Sequence, residues 1–337
     1  MTSIERVSTS LKNRARPLIT PRVPKSIAER FRHIDQERMS LVEASLKRNY
    51  FTEWDTAYAD HEAYLSSDEG QNDLQDHLYR RLDAFRNTVI PWLSNVKPLG
   101  GSKILEIGCG TGSSTVALAE QGADVTAVDI IEPSLVVARD RCEIYKVDAN
   151  ILCANATDAH KVNGSQRSDI VIFFAALEHM THDERMIAMT NTWDMLSPGG
   201  LWCVTGTPNR LWYYDSHTSQ LPFYLWLPDD LAFKYSRFSP RKGFRDMYRH
   251  ADSDSTLDYL RRGRGVSYHE LELTMKRAEG LDVRSSLSIF LRSQSLLRKV
   301  LWTFTKQRRF ERFLVKNGPK IHPGFYQMYL DLIIRKD

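Results

Sequence analysis

The feature that most constrains this chain is a run of alternating glycines, Leu105-Glu-Ile-Gly-Cys-Gly-Thr-Gly112. The run sits between an apolar strand pattern, Lys103 to Ile107, and a helix pattern, Ser113 to Gln121, that Gly122 closes. Glycines at a strand-to-helix turn let the backbone bend sharply and let a ligand approach with no Cβ in the way. Binders of dinucleotides place a further glycine at the sixth motif position, where the helix passes a pyrophosphate. That position is Ser113 here. An acid, Glu106, precedes the glycines, and a second, Asp129, ends the next strand pattern, Asp124 to Asp129. A carboxylate at the second place accepts hydrogen bonds from the two hydroxyls of a ribose. The spacing therefore suits a nucleoside ligand with no phosphate but a charged amino-acid end. Glu106 is expected to act on that end through water or neighbouring backbone.

The same rhythm continues downstream. Pro133 to Lys146 reads as a helix, Ile151 to Ala154 as a third strand, Asp169 to Phe174 as a fourth and Asp183 to Leu196 as a helix. Ser-Pro-Gly-Gly200 ends that helix, and Leu201 to Gly206 reads as a fifth strand. Strands alternating with helices specify an α/β fold with a doubly wound, largely parallel sheet. Val283 to Leu291 and Tyr326 to Ile334 alternate like strands again.

Residues 103 to 206 resemble a class I S-adenosylmethionine-dependent methyltransferase. Glu106 to Gly112 matches that family's first motif and Asp129 its ribose acid. Asn155-Ala156 falls where the family usually has an acid for the adenine amino group; the Asn155 amide oxygen can still accept a hydrogen bond. Ala175-Ala-Leu-Glu-His179 and Leu196-Ser-Pro-Gly-Gly-Leu201 match the turns that follow strand four and precede strand five. The resemblance implies a Rossmann-like seven-stranded sheet whose last two strands form an antiparallel pair at the edge. It also implies S-adenosylmethionine as the cofactor, held by Glu106, Gly108, Gly110, Thr111, Gly112, Asp129, Ile130, Asn155 and Ala156. The Glu-His pair is similar to one in quinone O-methyltransferases, some of which hold a divalent metal beside it. Those proteins carry another acid three residues before the Glu, where this chain has Ala175, so no metal is expected.

Ligands of open parallel sheets bind beyond the carboxyl ends of the strands. His179 follows strand four, and His217 lies in the segment that follows strand five. Both are candidate bases for a hydroxyl acceptor, because an unperturbed imidazole titrates near neutrality. Asp215, two residues before His217, is expected to orient it or to bind the acceptor. Seven aromatics lie between Trp212 and Phe233 (Trp212, Tyr213, Tyr214, Phe223, Tyr224, Trp226 and Phe233). They suit a stacking surface for a sugar or ring, or else a small core of their own. Pro208-Asn-Arg-Leu-Trp212 and its neighbours are similar to a bacterial subgroup associated with sugar, glycan and small-molecule acceptors. Ser267-Tyr-His-Glu270 either adds polar groups to that pocket or caps a helix.

The expected organisation is a flexible basic segment 1–24, a helical cap or lid 25–98, a cofactor-binding core 99–207, an acceptor-binding insertion 208–280, and C-terminal edge strands 281–337. A basic helical insertion, 292–320, holds nine Lys/Arg and one acid. It reads as a surface helix with an apolar stripe of Leu296, Leu297, Val300, Leu301 and Phe304, or as peripheral contact with an anionic membrane. No apolar run approaches the about 20 residues that span a bilayer. The four cysteines form no C-x-x-C pair; Cys109, Cys153 and Cys203 sit in strand-like contexts, and a reducing cytoplasm suits them. A net charge of +4 does not imply nucleic acid, which is not an expected partner. The expected activity is O-methylation of a hydroxyl on a sugar, glycan or related small metabolite. Methylation of RNA or protein, and a non-catalytic cofactor-binding role, are the alternatives; the oligomeric state is left open.

Overall fold

A computed structural model describes residues 36–51, 60–162, 166–241, 244–245, 259–294, 302 and 305–337. Seven strands form one sheet in the order β3-β2-β1-β4-β5-β7-β6. They are β1 (Lys103–Ile107), β2 (Asp124–Asp129), β3 (Asn150–Cys153), β4 (Ser168–Phe174), β5 (Leu196–Pro208), β6 (Asp282–Ser286) and β7 (Tyr329–Arg335). The first five are parallel, and β7 runs antiparallel to both β5 and β6. The near-continuous apolar runs of β1 and β4 are buried on both faces, which is why they do not alternate. One core packs Ile104, Ile170, Ile172 and Cys203 against the helices of one face; the other packs Leu105, Val171, Phe173 and Trp202 against those of the opposite face.

Helices α1 (Gln36–Ser45) and α2 (Asp68–Gln75) belong to the N-terminal region, where helical turns continue to Ile90–Ser94. Their apolar residues Val42, Leu46, Tyr64, Leu74 and Leu78 meet Val137 of α4 (Glu132–Tyr145), while Leu82, Ile90 and Leu93 join the sheet core. Helix α3 (Ser113–Ala119) follows the glycine turn, and α5 (His182–Asp194) opens on a capping box between Thr181 and Glu184. A second capping box, Ser267 with Glu270, opens α6 (Tyr268–Thr274); Glu270 also pairs with the buried Arg185 at 2.9 Å, so this segment caps a helix rather than lining a pocket.

Several expectations need correction. The strand expected over Val283 to Leu291 stops at Ser286, and Leu287–Ser293 is helical, with Leu287 buried against the sheet. Strand β5 starts five residues early, at Leu196, which pairs with Ser168 before a register shift brings Leu201 opposite Ile170. Cys153 is exposed, whereas Cys109, Cys142 and Cys203 are buried free thiols. The insertion has its own small core of Leu221, Tyr224, Leu225, Phe233, Phe244 and Tyr259, so Tyr224 and Phe233 serve packing; Phe223 and Trp226 remain exposed. The basic region contains helix α7 (Lys306–Asn317), whose single acid, Glu311, is buried and accepts from Trp302 and Gln327. Residues 1–24 and the stripe Leu296, Leu297, Val300, Leu301 and Phe304 lie outside the described residues. No helix among the described residues is long and apolar enough to cross a membrane.

Candidate active site

The glycine turn leans over β2: the Gly108 and Cys109 N–H groups donate to Val128 O at 2.8 and 3.3 Å. Gly108, Gly110 and Gly112 all have positive φ (80°, 50° and 79°), where a side chain is strained. They differ in what a Cβ would meet. At Gly108 it would lie 2.7 Å from Ala176 Cβ, and at Gly112 2.8 Å from Ala138 Cα, so these two permit close packing. At Gly110 it would meet nothing within 4 Å, so this is where the turn opens to a ligand.

Asp129 faces that opening from the end of β2. One carboxylate oxygen accepts from Gly110 N at 2.9 Å, the other from Ile131 N at 3.0 Å. Each oxygen keeps a lone pair, which is what a pair of vicinal hydroxyls requires. The open glycine, the adjacent carboxylate and the exposed Ile130 beyond it fit a nucleoside with a ribose and a flat base. Asn155 is exposed after β3; its amide oxygen accepts from Thr157 N at 3.0 Å, so only one of its two lone pairs is left for a ligand amine. Ala156 is buried beside it.

Glu106 is placed differently from the expectation. It is fully buried beneath the turn and accepts from the Ser114 and Thr115 hydroxyls of α3. Burial pushes its carboxyl up to about 7. It ties the helix start to β1 and does not face the opening. Thr111 likewise turns inward, with its hydroxyl 3.1 Å from His77 Nδ1. Arg141, on the buried face of α4, donates to Thr111 O (2.8 Å) and His77 O (2.8 Å). These bonds lock the N-terminal helices onto the glycine turn. Burial lowers both groups, His77 well below its usual range and Arg141 to about 10. Neither His77 nor Arg141 stood out in the sequence as part of the site. An arginine among Leu135, Ala138 and Cys142 on an apolar helix face was the available signal.

A second cluster forms at the carboxyl end of β4. Ala175 takes a left-handed φ of 45° with its N–H on Thr205 O, and the chain then makes a single turn, Leu177–His179. That turn buries Glu178 completely and leaves His179 partly exposed. The segment after β5 brings back His217, whose Nε2 lies 3.7 Å from Glu178 Oε1; His179 Nε2 lies 4.0 Å from the same oxygen. The two imidazole rings are 5.6 Å apart. The other Glu178 oxygen accepts from the Thr207 hydroxyl at 2.8 Å, while Oε1 is buried with no hydrogen-bond partner among the described residues.

The tautomers follow from the partners. His179 Nδ1 lies 2.7 Å from Arg261 O, a carbonyl that only accepts, so Nδ1 carries a proton and, in the neutral ring, Nε2 has the lone pair. The Thr218 hydroxyl donates to Gly263 O (3.1 Å) and Arg262 O (3.3 Å), so it accepts from His217 Nδ1 at 3.0 Å. His217 Nε2 therefore also carries a lone pair. Burial lowers the His217 pKa against the opposing pull of Glu178.

Asp215, expected to orient His217 or to bind the acceptor, acts on the backbone of that residue and not on its ring. Its oxygens accept from the backbone N–H groups of His217, Thr218 and Ser219 and from the Ser219 hydroxyl. It shapes the loop that carries His217 and does not touch the imidazole. Thr207, Thr218 and the carbonyls of 261–263 were also missed, since nothing in local spacing links them to residues 178 and 179.

Residues 104–200 match a family model described as a methyltransferase domain. The ubiquinone biosynthesis O-methyltransferase of Coxiella burnetii is 36% identical over 102 residues, covering 30% of this chain and 42% of that protein. The cypemycin N-terminal methyltransferase of a Streptomyces species is 34% identical over 117 residues, covering 33% of this chain and 44% of its own. The chain thus spans less than half the length of these two relatives. A structure of magnesium protoporphyrin IX methyltransferase from Synechocystis with bound SAH aligns over 52% of this chain and 74% of that one, at 18% identity and a TM-score of 0.36. Taken with the sheet order and the glycine turn, residues 104–200 are a methyltransferase domain of the class I S-adenosylmethionine-dependent type.

Proposed function

We propose that this chain transfers a methyl group from S-adenosylmethionine to a hydroxyl of a small molecule, with a sugar, a glycan or a related metabolite as the acceptor class. The carrying observation is the meeting of Glu178 Oε1 with two lone-pair-bearing imidazole nitrogens, at 3.7 and 4.0 Å, at the carboxyl end of β4. An alcohol must lose its proton to become a nucleophile, and this cluster holds proton acceptors with no donor among them. The relatives' printed names cover both an O-methyltransferase and an N-terminal methyltransferase, so the choice of hydroxyl rests on the cluster and not on them.

The cofactor supplies an electrophilic methyl on a sulfonium, which needs no acid to depart. This chain's residues do the remaining work. Gly110 and Asp129 receive the nucleoside. Ala176, packed against Gly108, joins the wall of the donor turn to Glu178, two residues further on. The acceptor hydroxyl enters where His179 is partly exposed, and its proton is drawn into the Glu178–His179–His217 cluster, where the buried carboxylate offsets the positive charge. Phe223 and Trp226, exposed on the insertion with rings 5.2 Å apart, offer a face on which a sugar or ring can stack.

Incubation with methyl-labelled S-adenosylmethionine and a panel of hydroxyl, amine and peptide acceptors tests this reading. Label is expected on a hydroxyl compound. Transfer only to amines or protein would sink the acceptor assignment.

A further inference from the structure

We infer that Glu178, His179 and His217 form a site for one divalent transition-metal cation, with its third ligand supplied by the insertion after β5. Sequence alone argued against a metal, because Ala175 occupies the place of an acid. The fold supplies His217 instead, from far along the chain. Among the described residues, these three are the group whose donor atoms all lie within 4.8 Å of one another.

Three features make this a built site rather than a chance grouping. The first is the buried Glu178 Oε1, which has no hydrogen-bond partner among the described residues and lies 3.7 and 4.0 Å from the two Nε2 atoms. A buried carboxylate oxygen without a partner is costly, and a cation removes that cost. The second is the orientation of both imidazoles. Arg261 O and the Thr218 hydroxyl take the Nδ1 protons, which leaves both Nε2 atoms, within 4.0 Å of the same oxygen, for a cation. Metal-bound histidines are held in this manner, by a carbonyl or other acceptor on the far nitrogen. Gly263 is part of that support: a Cβ there would lie 2.4 Å from Thr218 Oγ1 and 3.1 Å from His217 Nδ1. The third is spacing. Metal–ligand bonds of about 2.1 Å place neighbouring donors about 3 to 4 Å apart, and two of the three pairs are at 3.7 and 4.0 Å.

Four nearby arginines are already engaged. Arg185 pairs with Glu270, Arg261 with Glu184, and Arg264 with Asp229. Arg241 donates to the His217 and Thr218 carbonyls. Arg185 feels the Glu178 charge but makes its side-chain hydrogen bonds to Glu270 and to backbone carbonyls, which leaves Glu178 Oε1 to a ligand. Two neutral imidazoles and one carboxylate suit zinc, manganese, iron or cobalt, and three protein ligands leave positions open. An acceptor oxygen bound there is acidified by the cation, which takes over the part that free imidazoles would play. This last step rests on the methyl-transfer reading above; the binding itself does not.

Tag-free full-length protein, stripped with chelator, is titrated with Co2+ alone while its visible ligand-field absorption is followed. One equivalent is expected to bind, with a Kd of about micromolar or tighter. His217→Ala and Glu178→Gln should each weaken binding by at least about tenfold, and Thr218→Val by about tenfold through its support of His217. His179→Ala, at a partly exposed position, keeps the test decisive if a buried substitution unfolds the chain. No absorption band from wild type, or binding as tight as wild type by both His179→Ala and His217→Ala, overturns the inference. If Co2+ binds but no acceptor is methylated, the metal site stands and the methyl-transfer reading falls. If methyl transfer is undiminished after stripping and Co2+ does not bind, the metal site alone falls.

Discussion

On the donor side, the residues that shape the opening lie between Glu106 and Asp129, on two adjacent parallel strands and the turn between β1 and α3. At the proposed acceptor side, the cluster joins residues 178 and 179 after β4, Thr207 at the end of β5, His217 and Thr218 in the insertion, and the carbonyls of 261–263. The first is made by local backbone geometry. The second exists only once distant segments have packed. The difference teaches that the two halves should fail separately when mutated: changes at the cluster should spare the donor side, and the reverse.

The largest separation is expected from Glu178→Gln. Removing the buried carboxylate charge should lower methyl transfer by about 100-fold or more, while the affinity for S-adenosylhomocysteine stays within about twofold. A matching loss of cofactor affinity would break the comparison, since it would make the two halves one unit. Single-turnover rates and calorimetry on the same preparation measure both.

Gly263→Ala should have a smaller effect of the same kind. Its φ of 127° and the 2.4 Å approach to Thr218 Oγ1 mean that a methyl group there displaces the support of His217. Methyl transfer should fall about tenfold, in line with about 1–3 kcal/mol of backbone strain relieved by movement. Unchanged turnover would show that the 261–263 backbone does not position the cluster.

These substitutions also mark what could be read from the sequence. The donor side was legible because glycine spacing, strand ends and the acid after β2 are local signals. The seven-stranded sheet is as expected, and the Gly110 N–H donates to Asp129 across the turn that the spacing marked. Glu106 was assigned to the ligand because its place in the motif says nothing about which way its side chain points; burial turned it to Ser114 and Thr115. His179 and His217 were both picked out, yet their convergence on Glu178 Oε1 was not, nor was the hydrogen bonding that sets their tautomers. Asp215 looked like an orienting acid from its two-residue spacing, which is equally the spacing at which a carboxylate accepts from its own loop's N–H groups. The aromatics of the insertion could not be sorted by sequence, because a stacking surface and a small core use the same residue types.

The smallest effect concerns stability rather than turnover. Glu106, raised by burial from 4.5 to about 7, keeps in the folded state a proton that the unfolded chain releases above pH 4.5. Its contribution to stability therefore falls as pH rises from 4.5 to about 7 and is level beyond. Glu106→Gln should flatten that part of the Tm profile relative to wild type and leave the Co2+ titration unchanged. Superimposable profiles would mean that the carboxyl does not titrate in this window.

The opening at Gly110 and Asp129 should bind S-adenosylmethionine independently of the cluster after β4. Calorimetric titration with S-adenosylhomocysteine, comparing wild type, Gly110→Val, Asp129→Ala and Glu178→Gln, tests it most directly. Wild type and Glu178→Gln are expected to bind alike. Gly110→Val should abolish binding, because a branched side chain fills the open face, and Asp129→Ala should weaken it by about 10- to 100-fold through loss of a charged acceptor. Binding that survives both Gly110→Val and Asp129→Ala would contradict the account.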